Sequence, residues 1–523
     1  MTASMAIDEV LAQDFHSLPD LIRTHARQRS EHVALYQDAR ALDYRALDEL
    51  ADRIAASLQR EGVQPGQVIA VCAGMSIEYA AVFIGALRAG AAVAPLAPSS
   101  TPASIAAMVA DAGATLFFTD ATVAQQLRPV RARIRAQWIA LDDSANGKSF
   151  SGWLLAAGSV PRAVSADPDA AFNLIYSSGT TGTPKGIEQS NLMRWRQWQR
   201  AFAYDYKPDC VTLVSTPLYS NTTLVSFLPT LAVGGTAVLM PKFDAQGFLE
   251  LAQRHRATTA MLVPVQYARI MALPGFADYD LSAFRAKFCT SAPFAASLKA
   301  DILARWPGRL IEYYGMTEGG GTCVLEASKH PDKLHTVGCP APGHDIRLID
   351  EQGCELPRGS TGEVVGHSEG IMTGYHNQPQ KTAEAQWHDP AGRCFIRTGD
   401  IGRFDDDGFL ILMDRKKDMI ISGGFNVYPS DLEAVLSAHE AVADAAVVGV
   451  PSERWGETPV AFVVPKRRDA QLAKTLLDWT NAQLGKTQRL AAIELVDSLP
   501  RSAIGKVLKR ELRDAYRNKA VAI

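Results

Sequence analysis

Residues Tyr176 to Gly186 read YSSGTTGTPKG and follow the apolar run AFNLI. The stretch sets the hydroxyls of Ser177, Ser178, Thr180, Thr181 and Thr183 among Gly179, Gly182 and Gly186, with Lys185 near its end. Glycines let a backbone approach an anion closely, hydroxyls and exposed N–H groups donate hydrogen bonds to it, and a lysine adds a compact positive charge. By composition this is a phosphate loop. Its order of Gly179, Gly182 and Lys185 is not the GxxxxGK[ST] spacing of the usual nucleotide-triphosphatase loop. A flexible linker is the alternative, but linkers rarely follow directly on a buried strand.

Four further segments hold residue types suited to chemistry: YYGMTE at Tyr313–Glu318, RTGD at Arg397–Asp400, SGGFNVYP at Ser422–Pro429 and PRSAIGK at Pro500–Lys506. Each has an ordinary reading when taken alone. The first fits a strand end with a capping threonine, the second a loop with an Asp turn, the third a hairpin turn, and the last one exposed lysine among many.

Together the five segments resemble the adenylate-forming superfamily of acyl-CoA synthetases, firefly-type luciferases and peptide-synthetase adenylation domains. Its signature is [ST]SG[ST]TGxPKG, and the other segments occur in the family's order over nearly the whole chain. The motifs are most similar to those of bacterial fatty acyl- and aryl-CoA ligases. The resemblance implies that Ser177, Ser178, Gly179, Thr180, Thr181, Gly182 and Thr183 bind ATP and then AMP. It also implies that Ser291, Ala292 and Pro293 lie along the adenine, with Thr290 where a glycine is more usual. Tyr314, followed by Gly315, would stack on adenine, Thr317 would contact the α-phosphate, and Glu318 would hold Mg²⁺, roles that suit an aromatic face, a hydroxyl donor and a hard oxygen ligand. Asp400 would accept from both ribose hydroxyls, assisted by Arg415. Lys185 and Lys506 are the implied catalytic cations, a mobile ammonium being able to bridge the acid oxygen and the α-phosphate as charge builds. Ser422, Gly423, Gly424 and Trp455 would line the path of coenzyme A, although a lone Trp more often belongs to a core.

The elements that must position these residues read as α/β. VIAVCAG, EYAAVFIGALRAG and AAVAPL give strand, helix, strand, and ATLFFTD, AFNLIYSSG, TAVLMP and TAMLVP are further apolar runs ending in loops. From Leu18 to Glu61 the apolar spacing is helical. Residues 363–365 and GFLILMDRKKDMIISG suggest short antiparallel strands, and DLEAVLSAHEAV, AAVVGVPS and VAFVVPK suggest a helix and two strands of a second unit. The expected architecture is a large N-terminal domain of layered sheets and helices, residues 1–416, and a small mobile α+β lid, residues 417–523, with Lys417 as the hinge.

Bulk composition agrees with a protein of 523 residues and more than one domain: 47 % of residues are hydrophobic, 21 % are charged, and the net charge is −3. Neither a nucleic-acid nor a membrane surface is indicated. Seven scattered cysteines without a CxxC pair argue for a reducing cytoplasm, and no signal peptide or spanning segment is expected. A homodimer stays open.

The expected reaction joins a carboxylic acid to coenzyme A through an acyl-adenylate. The alternatives are an adenylating enzyme that loads a separate carrier protein and a luciferase-like oxygenase; no carrier domain is expected in the few residues after Lys506. The resemblance places the acyl group against Tyr219, Ser220, Asn221, Thr222 and Gly319, Gly320, Gly321, although a helix start at Asn221 with a loose glycine loop fits equally. Such a pocket would be roomy near the reacting carbonyl, and the lack of Lys or Arg in either segment disfavours a dicarboxylate. A medium-sized or aryl monocarboxylic acid is expected. Three departures bear on substrate and CoA rather than on adenylation: Ile421 where a lysine often assists, Ser220 where relatives place a histidine or aromatic gate, and KTQR without the frequent proline.

Overall fold

The computed structural model describes residues 13–177, 185–415, 418–422, 425–452, 455–467, 469, 471–485, 488–502 and 505–521. Contacts divide the chain into two compact units. One comprises Met1–Leu334, Ala341–Asp345 and Gly366–Ile396, the other His335–Pro340, Ile346–Val365 and Arg397–Ile523. Composition had suggested that a second unit starts at Lys417.

The first unit holds two large sheets. One has eight strands in the order Gly374–Tyr375, Lys185–Ser190, Ala171–Ser177, Ala92–Pro95, Val68–Cys72, Leu116–Thr119, Gln137–Ala140 and Lys148–Ser149. Val68–Cys72, Ala92–Pro95 and Leu116–Thr119 pair in parallel and are buried at every residue, which is why they read as unbroken apolar runs. In the other sheet, Arg309–Tyr314, Ala286–Cys289, Thr259–Leu262, Val211–Val214, Thr236–Leu239 and Val33–Gln37 are parallel neighbours in that order. Cys323–Glu326 pairs antiparallel with Arg309–Tyr314.

The helical spacing from Leu18 to Glu61 is only partly realised. Helices span Leu18–Gln28 and Tyr44–Arg60, but Val33–Gln37 and Arg40–Asp43 between them form a hairpin, with Asp38 in the left-handed region at φ 52°. Tertiary pairing decides this. Val33–Gln37 lies parallel to Thr236–Leu239, a partner some two hundred residues away that local periodicity cannot register.

The helix Ile77–Arg88 is apolar on all sides because it is buried on nearly all of them. Arg88, at its end, pairs with Asp48 and Asp52 of Tyr44–Arg60 and donates to the Asp48 carbonyl at 2.7 Å, so this charge inside an apolar run is ion-paired, with only its Nε–H left without a partner. One turn earlier the two helices approach closely. A Cβ on Gly85 would stand 2.5 Å from Ile54 Cγ2.

In the second unit, Phe425–Val427, Ile420–Ser422, Gly456–Pro465 and Val442–Ser452 form a sheet in that order, with Ala492–Leu495 beside Gly456–Pro465. The helices Pro429–Ser437 and Leu472–Gln483 close its core through Leu432, Leu436 and Leu476. Thr361–His367 and, within GFLILMDRKKDMIISG, Leu410–Arg415 and Ile420–Ser422 are strands as expected, whereas Cys394–Phe404, which pairs with Leu410–Arg415, is a strand that the sequence reading does not contain. Among the described residues no helix is long and apolar enough to cross a membrane.

The Gly85 contact makes a prediction. Gly85→Ala should destabilise the protein by about 1–3 kcal/mol through overpacking, read as a lower thermal midpoint. Much of that cost should persist in an Ile54→Ala background, because the Cβ that alanine keeps stands 2.6 Å from the added atom and Ala51 O 3.1 Å from it; a neutral effect there would show that the γ-branch alone obstructs.

Candidate active site

The loops that carry the first-unit candidates follow the carboxyl ends of parallel strands. Residues 290–293 follow Ala286–Cys289, residues 315–322 follow Arg309–Tyr314, and residues 215–222 follow Val211–Val214. That edge is where open α/β sheets bind ligands, because the strand ends leave a crevice there. Ser291 has φ 82°, unusual for a residue with a side chain, and its Oγ lies 2.6 Å from Thr222 Oγ1. Ala292 and Pro293 follow directly. The adenine-side and acyl-side candidates are thus joined by one hydroxyl pair.

Ala171–Ser177 and Lys185–Ser190 are antiparallel, with Ser177 opposite Lys185. Ser178, Gly179, Thr180, Thr181, Gly182 and Thr183 lie outside the described residues. Lys185 Nζ stands 4.8 Å from the centre of the Tyr375 ring, and Tyr375 Oη donates to Glu318 Oε1 at 2.9 Å. Burial, and after it the Glu318 carboxylate, raise the Tyr375 pKa, so the phenol stays neutral and keeps its proton for that bond. The segment holding Tyr375 ties the two motifs together through its backbone. Met372 N–H donates to Glu318 O at 2.8 Å, Thr373 N–H to Glu188 O at 2.9 Å, and His376 N–H to Gly186 O at 2.7 Å.

Thr317 is held from the interior. Its carbonyl accepts from Gln189 Nε2 at 2.6 Å, Gln189 Oε1 accepts from Asn173 Nδ2 at 3.0 Å, and Asn173 Oδ1 accepts from Arg194 Nε and Nη2 at 2.9 and 2.8 Å. Asn173, Gln189 and Arg194 are fully buried. Burial pulls the Arg194 pKa down to about 9, which leaves it charged near neutrality.

Tyr375, Asn173, Gln189 and Arg194 escaped sequence reasoning. Gln189 left one signal, a polar residue sharing a strand face with the buried Ile187. Tyr375 left none, being 57 residues from Glu318.

At the expected acyl pocket, helix Asn221–Ala232 starts at Asn221 with Ser220 at its N-cap, and Tyr219 just before it is largely buried. The Ser220 side chain makes no capping bond, and Asn221 Oδ1 is buried without a hydrogen-bond partner. At Gly319 and Gly320 the side that a Cβ would take is filled by backbone. Gly319 and Gly320 have φ 77° and 80°, and a Cβ on them would meet Gly370 O at 1.9 Å and Gly366 O at 2.6 Å. Glycine is required there so that backbone can pack on backbone. Gly321 follows them, and Gly315 lies across from Thr322 Oγ1.

In the second unit, Asp400 stands opposite Arg415 across the ladder of Cys394–Phe404 and Leu410–Arg415, and Asp400 N–H donates to Thr398 Oγ1 at 3.0 Å. Arg397 of the same motif forms an ion pair with the buried Glu363 and so serves the framework. Ser422 pairs with both Phe425 and Gly456, which brings the exposed Ile421 and Trp455 to one end of this sheet. Gly423, Gly424 and Lys417 lie outside the described residues. Lys506 closes a tight turn: its N–H donates to Ser502 Oγ at 3.2 Å, its carbonyl accepts from Ser502 N–H at 2.8 Å, and Gly505 beside it has φ 77°.

Among the described residues no group of three His, Cys, Asp or Glu could hold a metal unaided. A single carboxylate such as Glu318 is compatible with Mg²⁺, an ion that keeps waters and takes further ligands from substrate phosphates.

A two-unit enzyme of this build, with a phosphate loop, an aromatic–Thr–Glu turn and a late lysine turn, is an adenylate-forming one. The chain belongs to the AMP-binding enzyme family, which it matches over residues 22–376, and residues 431–506 match the AMP-binding enzyme C-terminal domain. It is 33 % identical to 4-coumarate–CoA ligase 2 of Nicotiana tabacum over 88 % of this chain and 87 % of that one. Identity to the fatty acid–[acyl-carrier-protein] ligase ScoC of Streptomyces coeruleorubidus is 31 %, over 95 % and 97 %. ATP-bound MatB from Rhodopseudomonas palustris superposes with a TM-score of 0.86 at 28 % identity, covering 96 % of this chain and 99 % of that one.

Gln189→Glu retains the acceptor for Asn173 but faces the Thr317 carbonyl with an oxygen. ATP-dependent pyrophosphate release should fall about 10- to 100-fold, the scale of one buried bond lost and repulsion gained. A lowered thermal midpoint with an unchanged rate would show that the bond serves stability alone.

Proposed function

We infer that the protein is an AMP-forming acid–thiol ligase that converts a carboxylic acid, ATP and coenzyme A to acyl-CoA, AMP and pyrophosphate. The observation that carries this reading is the contact series Lys185, Tyr375, Glu318, beside a Thr317 held from the core. A carboxylate resists thiol attack because its carbonyl carbon is electron-rich and oxide is a poor leaving group. Adenylation removes both obstacles. A carboxylate oxygen attacks the α-phosphorus, the bond to pyrophosphate breaks, and the acyl group is left on AMP. The thiolate sulfur then attacks the acyl carbon and AMP departs.

In this reading Lys185 neutralises phosphate charge, and Tyr375 fixes the orientation of the Glu318 carboxylate. Thr317 donates its hydroxyl to the α-phosphate, Asp400 and Arg415 hold the ribose, and Lys506 bridges the acid oxygen and the α-phosphate during attack. Glu318 would hold Mg²⁺, which when bound shields the triphosphate. The lid of residues 417–523 then turns about Lys417, withdrawing Lys506 and presenting Ser422, Gly423, Gly424 and Trp455 to coenzyme A, while Asp400 and Arg415 stay on the ribose. The exposed Ile421 and Trp455 suit a nucleotide surface.

For the acyl group, the likeness to a 4-coumarate ligase supports a medium-sized or aryl acid. The likeness to ScoC favours a second acceptor, a carrier protein in place of coenzyme A. Purified protein incubated with ATP, Mg²⁺ and a panel of acids should release AMP and form a thioester when coenzyme A is added. Thioester formation only with a phosphopantetheinyl carrier protein would establish the second acceptor, and no adenylate with any acid would overturn the reading.

Lys506→Ala should slow adenylation by about two orders of magnitude or more, the scale of removing one preorganised charge-stabilising group, while thioester formation from supplied acyl-AMP survives. Equal loss in both half-reactions would make the lysine structural. Lys417→Pro, by fixing φ, should leave adenylation intact and abolish transfer to coenzyme A; unchanged transfer would place the hinge elsewhere.

A further inference from the structure

Arg200 and His344 meet beside the glycine run, and neither motif reading nor adenylation chemistry uses them. Arg200 is in the last turn of helix Asn191–Ala201. Two turns earlier on that helix, Met193 touches Gly319: a Cβ there would stand 2.8 Å from Met193 Cε. Arg200 Nη2 is 3.6 Å from where a Cβ on Gly370 would stand, and Gly370 O accepts from Gly320 N–H at 3.3 Å. On the other side, His344 Nδ1 accepts from Thr322 N–H at 2.9 Å, and His344 Nε2 faces Arg200 Nη1. The guanidinium and the imidazole therefore flank residues 319–322, immediately after Glu318.

The donors and acceptors of this cluster do not balance. Arg200 has no acceptor atom, and Thr322 offers an N–H. A neutral imidazole has one acceptor nitrogen, yet a donor is aimed at each of its two. Protonation would remove even that one, and burial with the Arg200 charge pulls the His344 pKa down to about 4, so the ring is neutral near pH 7. With Nδ1 accepting from Thr322, the proton sits on Nε2 and two N–H groups converge. Among the described residues no carboxylate pairs with Arg200, and the side chain that faces it is that ring. Its neighbours Tyr204 and Tyr313 remain neutral phenols, their pKa values raised by burial. About one turn earlier on the same helix, Arg196 has a counter-ion in Glu369.

We propose that Arg200 and His344 Nε2–H recognise an oxygen acceptor carried by the acid at a point remote from its reacting carboxylate. This rests on the acid-ligase reading and on an acyl group lying against residues 319–321. Arg200 lies outside the two segments whose lack of Lys and Arg disfavoured a second carboxylate. A carboxylate and a neutral phenol or ether oxygen share the required chemistry. The unpaired cation favours the carboxylate, and bidentate Arg–carboxylate geometry strengthens that preference.

The test compares kcat/KM for ATP-dependent pyrophosphate release with three acids of one skeleton: an unsubstituted aryl acid, its methoxy derivative and its second-carboxylate derivative, each substituent at the far end of the ring. Wild-type protein should prefer an oxygen-bearing acid. Arg200→Met should lose about 10- to 100-fold on the preferred acid and far less on the unsubstituted one. Arg200→Gln, which keeps neutral donors, should retain the methoxy acid and lose the dicarboxylate if charge recognition is used. If Arg200→Met fails to fold, the Arg200→Gln ratios decide. Wild-type and variant ratios that coincide across the three acids would overturn this inference alone. Absence of pyrophosphate release from wild-type protein with every acid would overturn the ligase reading and this inference with it.

Discussion

A guanidinium can only donate hydrogen bonds, and that restriction orders the polar interior beneath Thr317. Because Arg194 donates twice to Asn173, the Asn173 oxygen must face it and the Asn173 amide must face Gln189. Gln189 is then obliged to present its oxygen inward and its amide to the Thr317 carbonyl. No other assignment of the two amides satisfies every group, so the polarity of the chain follows from one residue. The buried charge is costly to place, and its amide partners make it tolerable without a carboxylate. What it secures is the orientation of the peptide just before Glu318.

A second constraint comes from the segment 371–376, which pins Glu318 to the Lys185 strand by three backbone bonds. Backbone bonds do not depend on side-chain rotamers, so the cation and the carboxylate are located by the framework itself. The close packing this demands explains the glycines. Gly319 and Gly320 admit the carbonyls of Gly370 and Gly366, and any Cβ there would separate the segments that bring Tyr375 to Glu318.

In the second unit the motifs rest on the same device in smaller form. Asp400 and Arg415 are a cross-strand pair, Ser422 joins two pairings at one residue, and Lys506 stands on a turn closed by Ser502 and Gly505. Short turns between paired strands can present a charged residue at low entropic cost, because few backbone angles stay free.

Much of this protein was legible without coordinates. Residue type pointed to a phosphate loop at Tyr176–Gly186, and the resemblance carried by five segments in order singled out Thr317, Glu318, Asp400 and Lys506, because such chemistry needs particular side chains on short contiguous stretches. The buried parallel strands were equally plain, since strands covered on both faces must be apolar throughout. The amino-acid sequence by itself thus determined the family, the reaction class and the α/β architecture. Tertiary structure alone decided that Val33–Gln37 is a strand, that Tyr375 serves Glu318, that Arg194 and Gln189 orient Thr317, that Gly319 and Gly320 receive backbone, and that Arg200 meets His344. Each of these is a contact between residues far apart in the chain, whose energy depends on a partner's position in space, and local periodicity and composition carry no record of that position.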